Sequence, residues 1–123
     1  MKDALKNRTK AFALRIMNLV ESLPNTKTGD VIGRQVIRSG TSVGANYRSA
    51  CRARSDADFI SKIGIVEEET DETLFWLELL VESGLVKEDR LRDLMKEADE
   101  LTAIFTASGK TAKENKKKRP EKR

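Results

Sequence analysis

The chain has 123 residues, with 24 Lys or Arg, 20 Asp or Glu, one Cys and no His. That length fits one domain with a single apolar core. Without histidine there is no Ser-His-Asp or Cys-His nucleophile, no His-ligated zinc and no Glu-x-x-His di-iron site; a lone Cys51 makes neither an intrachain disulfide nor a thiolate cage.

The first helix is expected from about Asp3 to Ser22. Leu5, Phe12, Ala13, Ile16, Met17, Leu19, Val20 and Leu23 recur three and four apart and form one stripe. Pro24 ends it, because the residue before a proline is biased away from helical geometry. Charges at Asp3, Arg8, Lys10, Arg15 and Glu21 interrupt this segment, so it has no signal-peptide core. No stretch approaches the roughly 20 apolar residues of a membrane span. The expected location is the cytoplasm, where one reduced cysteine is ordinary.

The second helix opens near Thr28 or Asp30, either of which is a capping residue type. Ser39-Gly40-Thr41-Ser42 looks like a break on local propensity, since glycine costs about 1 kcal/mol relative to alanine in a helix. The spacing argues for continuity. Gly33, Gly40 and Gly44 are seven and four apart and share one face, where another helix can come close. One long helix to about Arg54 is expected, with Gly40 as the place for any kink.

Ser55-Asp56-Ala57-Asp58 caps the third helix, which runs to about Ser83, with Gly84 as the stop. Phe59, Ile63, Val66, Thr70, Leu74, Leu77 and Val81 form its seam. Ile60, Phe75, Trp76, Leu79 and Leu80 widen it beyond one stripe, which suits a central helix or one covered by another subunit. The fourth helix starts near Lys87-Glu88-Asp89 and carries a stripe from Leu91 to Ala112. It is expected to fade into a basic, disordered tail around Lys113. The predicted architecture is all-α: an up-down antiparallel four-helix bundle over residues 1–112 and a basic flexible tail over 113–123.

Charge is unevenly placed. Residues 110–123 carry eight basic and two acidic side chains, a net +6, so the first 109 residues carry −2 against the chain's total of +4. Lys110, Lys113, Lys116, Lys117, Lys118 and Arg119 are either an electrostatic arm for nucleic-acid phosphates or a solubilising terminus. The second helix adds Arg34, Arg38, Arg48, Arg52 and Arg54, with no acid after Asp30. A guanidinium fork fits carboxylate and phosphate alike. Arg38, beside Gly40, is assigned to pairing with an acid of the third helix: Glu67, Glu68 or Glu72. For Arg48, Arg52 and Arg54, pairing and phosphate binding are both open.

Glu68 and Glu72, four apart on one face within the acidic run from Glu67 to Glu72, are paired carboxylates of the kind that could bind a divalent cation. The other helices supply no matching acids with a histidine, so no metal and no cofactor is expected. Ser39, Thr41 and Ser42 have no His base and read as small packing residues. Cys51 reads as half-buried, and Trp76 as core or interface rather than a base-stacking ring.

The run Gly33-Arg34-Gln35-Val36-Ile37-Arg38-Ser39-Gly40-Thr41-Ser42-Val43-Gly44-Ala45-Asn46-Tyr47 resembles the signature of the bacterial 23S rRNA-intervening-sequence proteins. So do Ala53-Arg54-Ser55 with Phe59-Ile60-Ser61-Lys62, the Glu68, Glu72, Trp76-Leu77 series, and the segment from Leu101 to Ala112. The likeness spans about residues 8–113. Ser49 departs from it, where the family often has an acid, and the extension after Lys113 is particular to this chain. The resemblance implies a four-helix bundle assembled as a homopentamer, with no catalytic residues. Similarity to the accessory bundle protein of diversity-generating retroelements implies nucleic-acid binding and a reverse-transcriptase partner. The expected function is a non-enzymatic oligomer that binds RNA or DNA phosphates. The alternative is a structural or protein-docking oligomer. Arg38, Gly40, Gly44, Asn46, Glu68, Glu72 and Trp76 are expected in packing or structural polar roles.

Overall fold

A computed structural model describes residues 2–119. Four helices follow in order: α1 (Lys2–Glu21), α2 (Lys27–Cys51), α3 (Asp56–Glu82) and α4 (Glu88–Lys118). Each packs against its sequence neighbours, and α1 meets α4 only along a short seam. The result is an all-α, antiparallel four-helix bundle. No helix among the described residues is long and apolar enough to cross a membrane.

The junctions follow from local chemistry. Thr26, not Thr28 or Asp30, caps α2: its backbone is extended and its hydroxyl accepts from the Gly29 amide at 2.9 Å. The loop after Pro24 is therefore shorter than expected, and Asp30 falls in the first turn, where a negative charge suits the helix dipole. Ser55 caps α3 as expected, accepting from the Asp58 amide at 3.1 Å. Gly84, at φ 80°, turns the chain out of α3 in a conformation costly for a residue with a Cβ.

α2 runs unbroken through Gly40. A Cβ built on Gly40 would lie 2.8 and 2.9 Å from the two γ carbons of Ile16, and one on Gly44 would lie 3.3 Å from the Thr9 hydroxyl. The missing side chains let α1 approach α2, and that contact offsets the low helix propensity of glycine.

The core is a continuous column. Phe12, Ile16, Val36, Val43, Ile63, Val66, Leu77, Leu80, Leu101 and Phe105 are buried. Thr9, Ser39, Thr70 and Thr73 are buried too. Their hydroxyls bond to preceding helix carbonyls, and Ser39 and Thr73 also share a bond at 2.9 Å between α2 and α3. No buried side-chain polar atom among the described residues lacks a partner.

The sequence expectation for the fourth helix needs correction. α4 does not fade at Lys113 but continues to Lys118 across the expected domain boundary. Lys and Glu are good helix formers, Glu114 precedes Lys118 by four residues, and Lys116 to Lys118 lie at the negative pole of the helix dipole. Pro120 and the residues after it, counted in the flexible tail, lie outside the described residues.

Candidate nucleic-acid interface

Antiparallel packing brings the start of α1, the end of α2, the start of α3 and the end of α4 to one end of the bundle. A shallow cleft of about 370 Å³ there is lined by groups from all four, including Lys2, Cys51, Arg54, Asp56 and Arg119. The two separate sources of positive charge in the sequence, 48–54 and 110–119, thus share one end of the molecule.

Arg48, Arg52 and Arg54 are exposed, as are Lys110, Lys113, Lys116, Lys117 and Lys118. None of these eight makes an ion pair among the described residues. Arg119 differs: its guanidinium donates to the Asp56 carboxylate at the start of α3, which ties the end of α4 to the bundle. It remains 60% exposed at the side chain. The end is not purely basic, since Asp58 pairs with Lys62 at 3.1 Å one turn along α3.

Arg38 pairs with α3 as assigned, through Glu72 of the three acids named and through Glu69, which was not among them. Its guanidinium donates to Glu69 at 3.0 Å and also to Glu72. The Trp76 indole N–H donates to the same Glu72 at 3.0 Å. The Trp76 hydrogen bond, with Arg38 behind it, holds the Glu72 carboxyl below its ordinary pKa. Glu67 turns to the α4 side and accepts from the Thr106 hydroxyl at 2.7 Å, while Glu68 is exposed without an ion pair among the described residues. The Glu68 and Glu72 carboxylates therefore do different things, and Glu72 is committed to Arg38 and Trp76. Asn46 donates to the Ser42 carbonyl at 2.8 Å, an intrahelical role. Trp76 packs edge-on to Phe75, with ring centroids 5.0 Å apart.

At the basic end, Tyr47 stacks at 45° on Phe105 across 5.4 Å, joining α2 to α4. Burial first, and the neighbouring Cys51 second, push its hydroxyl pKa upward. Cys51 is half-buried as expected.

Two groups escaped the sequence reading. Arg8 of α1 clamps Glu97 of α4 with two hydrogen bonds of 2.7 Å and reaches Glu100 at 2.8 Å. The Arg8 hydrogen bonds hold the Glu97 carboxyl below its ordinary pKa. The only signal was the three-residue spacing of Glu97 and Glu100, which names no partner. Lys6 and Lys10 of α1 lie beside Arg48 of α2 along the α1–α2 groove. Their spacing of four places them on one face, but nothing local connects them to Arg48.

The architecture defines a bundle protein whose charged surface is separate from its core. The family model for 23S rRNA-intervening sequence proteins matches residues 3–107, so the chain belongs to that family. It is similar to a crystal structure of a protein of unknown function from the S23 ribosomal protein family of Bacteroides thetaiotaomicron. That likeness has a TM-score of 0.82 and 38% identity, and covers 89% of this chain and 99% of the other. No curated protein matches the chain. Arg48, Arg52 and Arg54 fall inside the family match, whereas Lys110 to Arg119 lie beyond it.

Proposed function

We propose that this protein is a non-enzymatic, homo-oligomeric module that binds RNA or DNA through phosphate contacts at the basic end of the bundle. The observation that carries the reading is the arrival of unpaired cations from α2 and α4 at that same end. Phosphate contacts release condensed counterions, so binding of this kind is strongly salt-dependent and weakly sequence-selective. An oligomer repeats the basic end in every subunit, and avidity then raises affinity without base reading.

Exposed apolar side chains support self-association. Phe75 and Ile65 on α3 are 49% and 42% exposed, and Leu14 on α1 is 54% exposed. A second copy that covers the exposed Phe75 ring, which packs on Trp76, would bury the largest of them. The same residues favour a second reading, a protein-docking oligomer whose partner is a protein such as a reverse transcriptase.

Salt titration of oligonucleotide binding separates the two. The full chain is expected to bind RNA and duplex DNA with a steep negative slope of log affinity against log salt, about −0.9 per phosphate contact on duplex. A chain ending at Ala112 should show a flatter slope, and Arg52→Glu should weaken what remains. Absence of binding by the full chain at low salt selects the docking reading. Light scattering tests the assembly in parallel, and a monomer mass at micromolar concentration rejects self-association.

A further inference from the structure

We infer that the α1–α2 groove beside the basic end is a phosphate subsite formed by Lys6, Lys10 and Arg48. The inference rests on the nucleic-acid reading only for the source of the phosphate. Two adjoining depressions, of about 220 and 370 Å³, run along α1 and α2, and the same three cations line both. The smaller one has Ala13, Gly44 and Ala45 among its walls. These short side chains form a shallow floor where α1 and α2 pack closely, so an anion is held at the surface of the groove, among the three long basic side chains.

The placement of charge also favours an anion in this groove. Lys6 and Lys10 are four apart on one helix, where like charges oppose one another. Arg48 adds a third positive charge from the facing helix. None of the three is ion-paired among the described residues. Asp3 lies at the edge of the larger depression without pairing with them. The bundle thus presents three cations to one groove with no carboxylate paired to them among the described residues. A backbone phosphodiester supplies the missing negative charge, and an Arg fork fits its two non-bridging oxygens while the two ammonium groups add charge beside them.

The groove also gives a backbone a route. Arg48, in the last turn of α2, lies between this groove and Arg52 and Arg54 just past the helix end, so phosphates of a single strand can pass from the basic end up the α1–α2 face.

The test uses the full-length protein with the double variant Lys10→Gln/Arg48→Gln, and Arg34→Gln, an exposed cation on α2 beyond the groove, as control. The double variant should weaken oligonucleotide binding about tenfold or more and flatten the duplex-DNA salt slope by about 1.8, two contacts' worth. The control should match the natural chain. The melting temperature of the double variant should hold, because Lys10 and Arg48 are exposed and make no ion pair among the described residues; a fall in melting temperature with unchanged binding overturns the subsite. Inorganic phosphate is the second probe, read by NMR at the amides of Gly44, Ala45 and Arg48. Shifts that vanish in the double variant support the subsite. If oligonucleotide displaces the phosphate, its source is a nucleic-acid backbone; if phosphate shifts the amides and no oligonucleotide binds, the groove takes a free phosphate and the proposed function fails alone. Absence of any phosphate shift, together with unchanged oligonucleotide binding in the double variant, overturns the inference while leaving the basic end intact.

Discussion

Gly40→Leu is expected to lower stability by about 1–3 kcal/mol, the usual range for overpacking a closed core. The position is buried, and even a Cβ would approach Ile16, itself fully buried, to 2.8 Å. Ile16 cannot retreat without moving α1, since Phe12 and Leu19 hold the same face against the core. The remaining atoms of a leucine side chain would have to force α1 and α2 apart. For a chain of this size the loss corresponds to a fall in melting temperature of roughly 3–5 °C per kcal/mol. Gly44→Leu should cost less, because the contact with Thr9 is wider and Gly44 is only half-buried. Gly64 provides the opposite control. No atom lies within 4 Å of a Cβ built there, so Gly64→Ala should stabilise by up to about 1 kcal/mol through helix propensity. Thermal melts of the three variants check the order, and equal melting temperatures for Gly40→Leu and the natural chain would show that the helices do not meet at this glycine.

Arg8→Ala is expected to cost about 1–2 kcal/mol. Hydrogen bonds to charged groups contribute roughly 1.5–3 kcal/mol, discounted here because the Arg8 side chain is 36% exposed. The seam between α1 and α4 is short, and Arg8 joins its two sides through Glu97 and Glu100. The effect should depend on pH in a definite direction. Glu97 has a folded pKa below its ordinary value of 4.5, so its contribution is fully present above that value and is lost as pH falls through the folded pKa. The stability difference between the natural chain and Arg8→Ala should therefore be largest near neutrality and shrink below about pH 4.5. Denaturant melts across this range measure it. A difference that does not change with pH would assign the loss to packing of the Arg8 stem instead.

The family match explains why so much of the bundle was readable and why its chemistry was not. Residues 3–107 carry the shared pattern, and the most basic part of α4 lies beyond it. The cations from Lys110 to Arg119 thus lie outside the shared pattern.

The amino-acid sequence by itself determined the number of helices, their order and the face each one buries. Apolar residues recurring three and four apart specify a stripe whatever the neighbouring helix turns out to be, as with Phe12, Ile16 and Leu19 or Leu91, Leu94 and Ala98. Pro24, Ser55 and Gly84 act within a few residues of themselves, so the junctions they mark were legible locally. The spacing of Gly33, Gly40 and Gly44 also revealed a close contact, because glycine on one helical face leaves few other uses. Tertiary structure alone decided the polar partners. Arg38 has several acids within reach on α3, and the helix register selects Glu69 and Glu72. Arg8 and Glu97 are 89 residues apart and become neighbours only when the first and last helices are brought side by side. The same antiparallel arrangement carries Arg52 and Lys116 to one end of the bundle and sets Lys6 and Lys10 beside Arg48. Long, flexible side chains have no periodic signature of their own, so their meeting depends on helix register and packing, which the sequence specifies only through the folded whole.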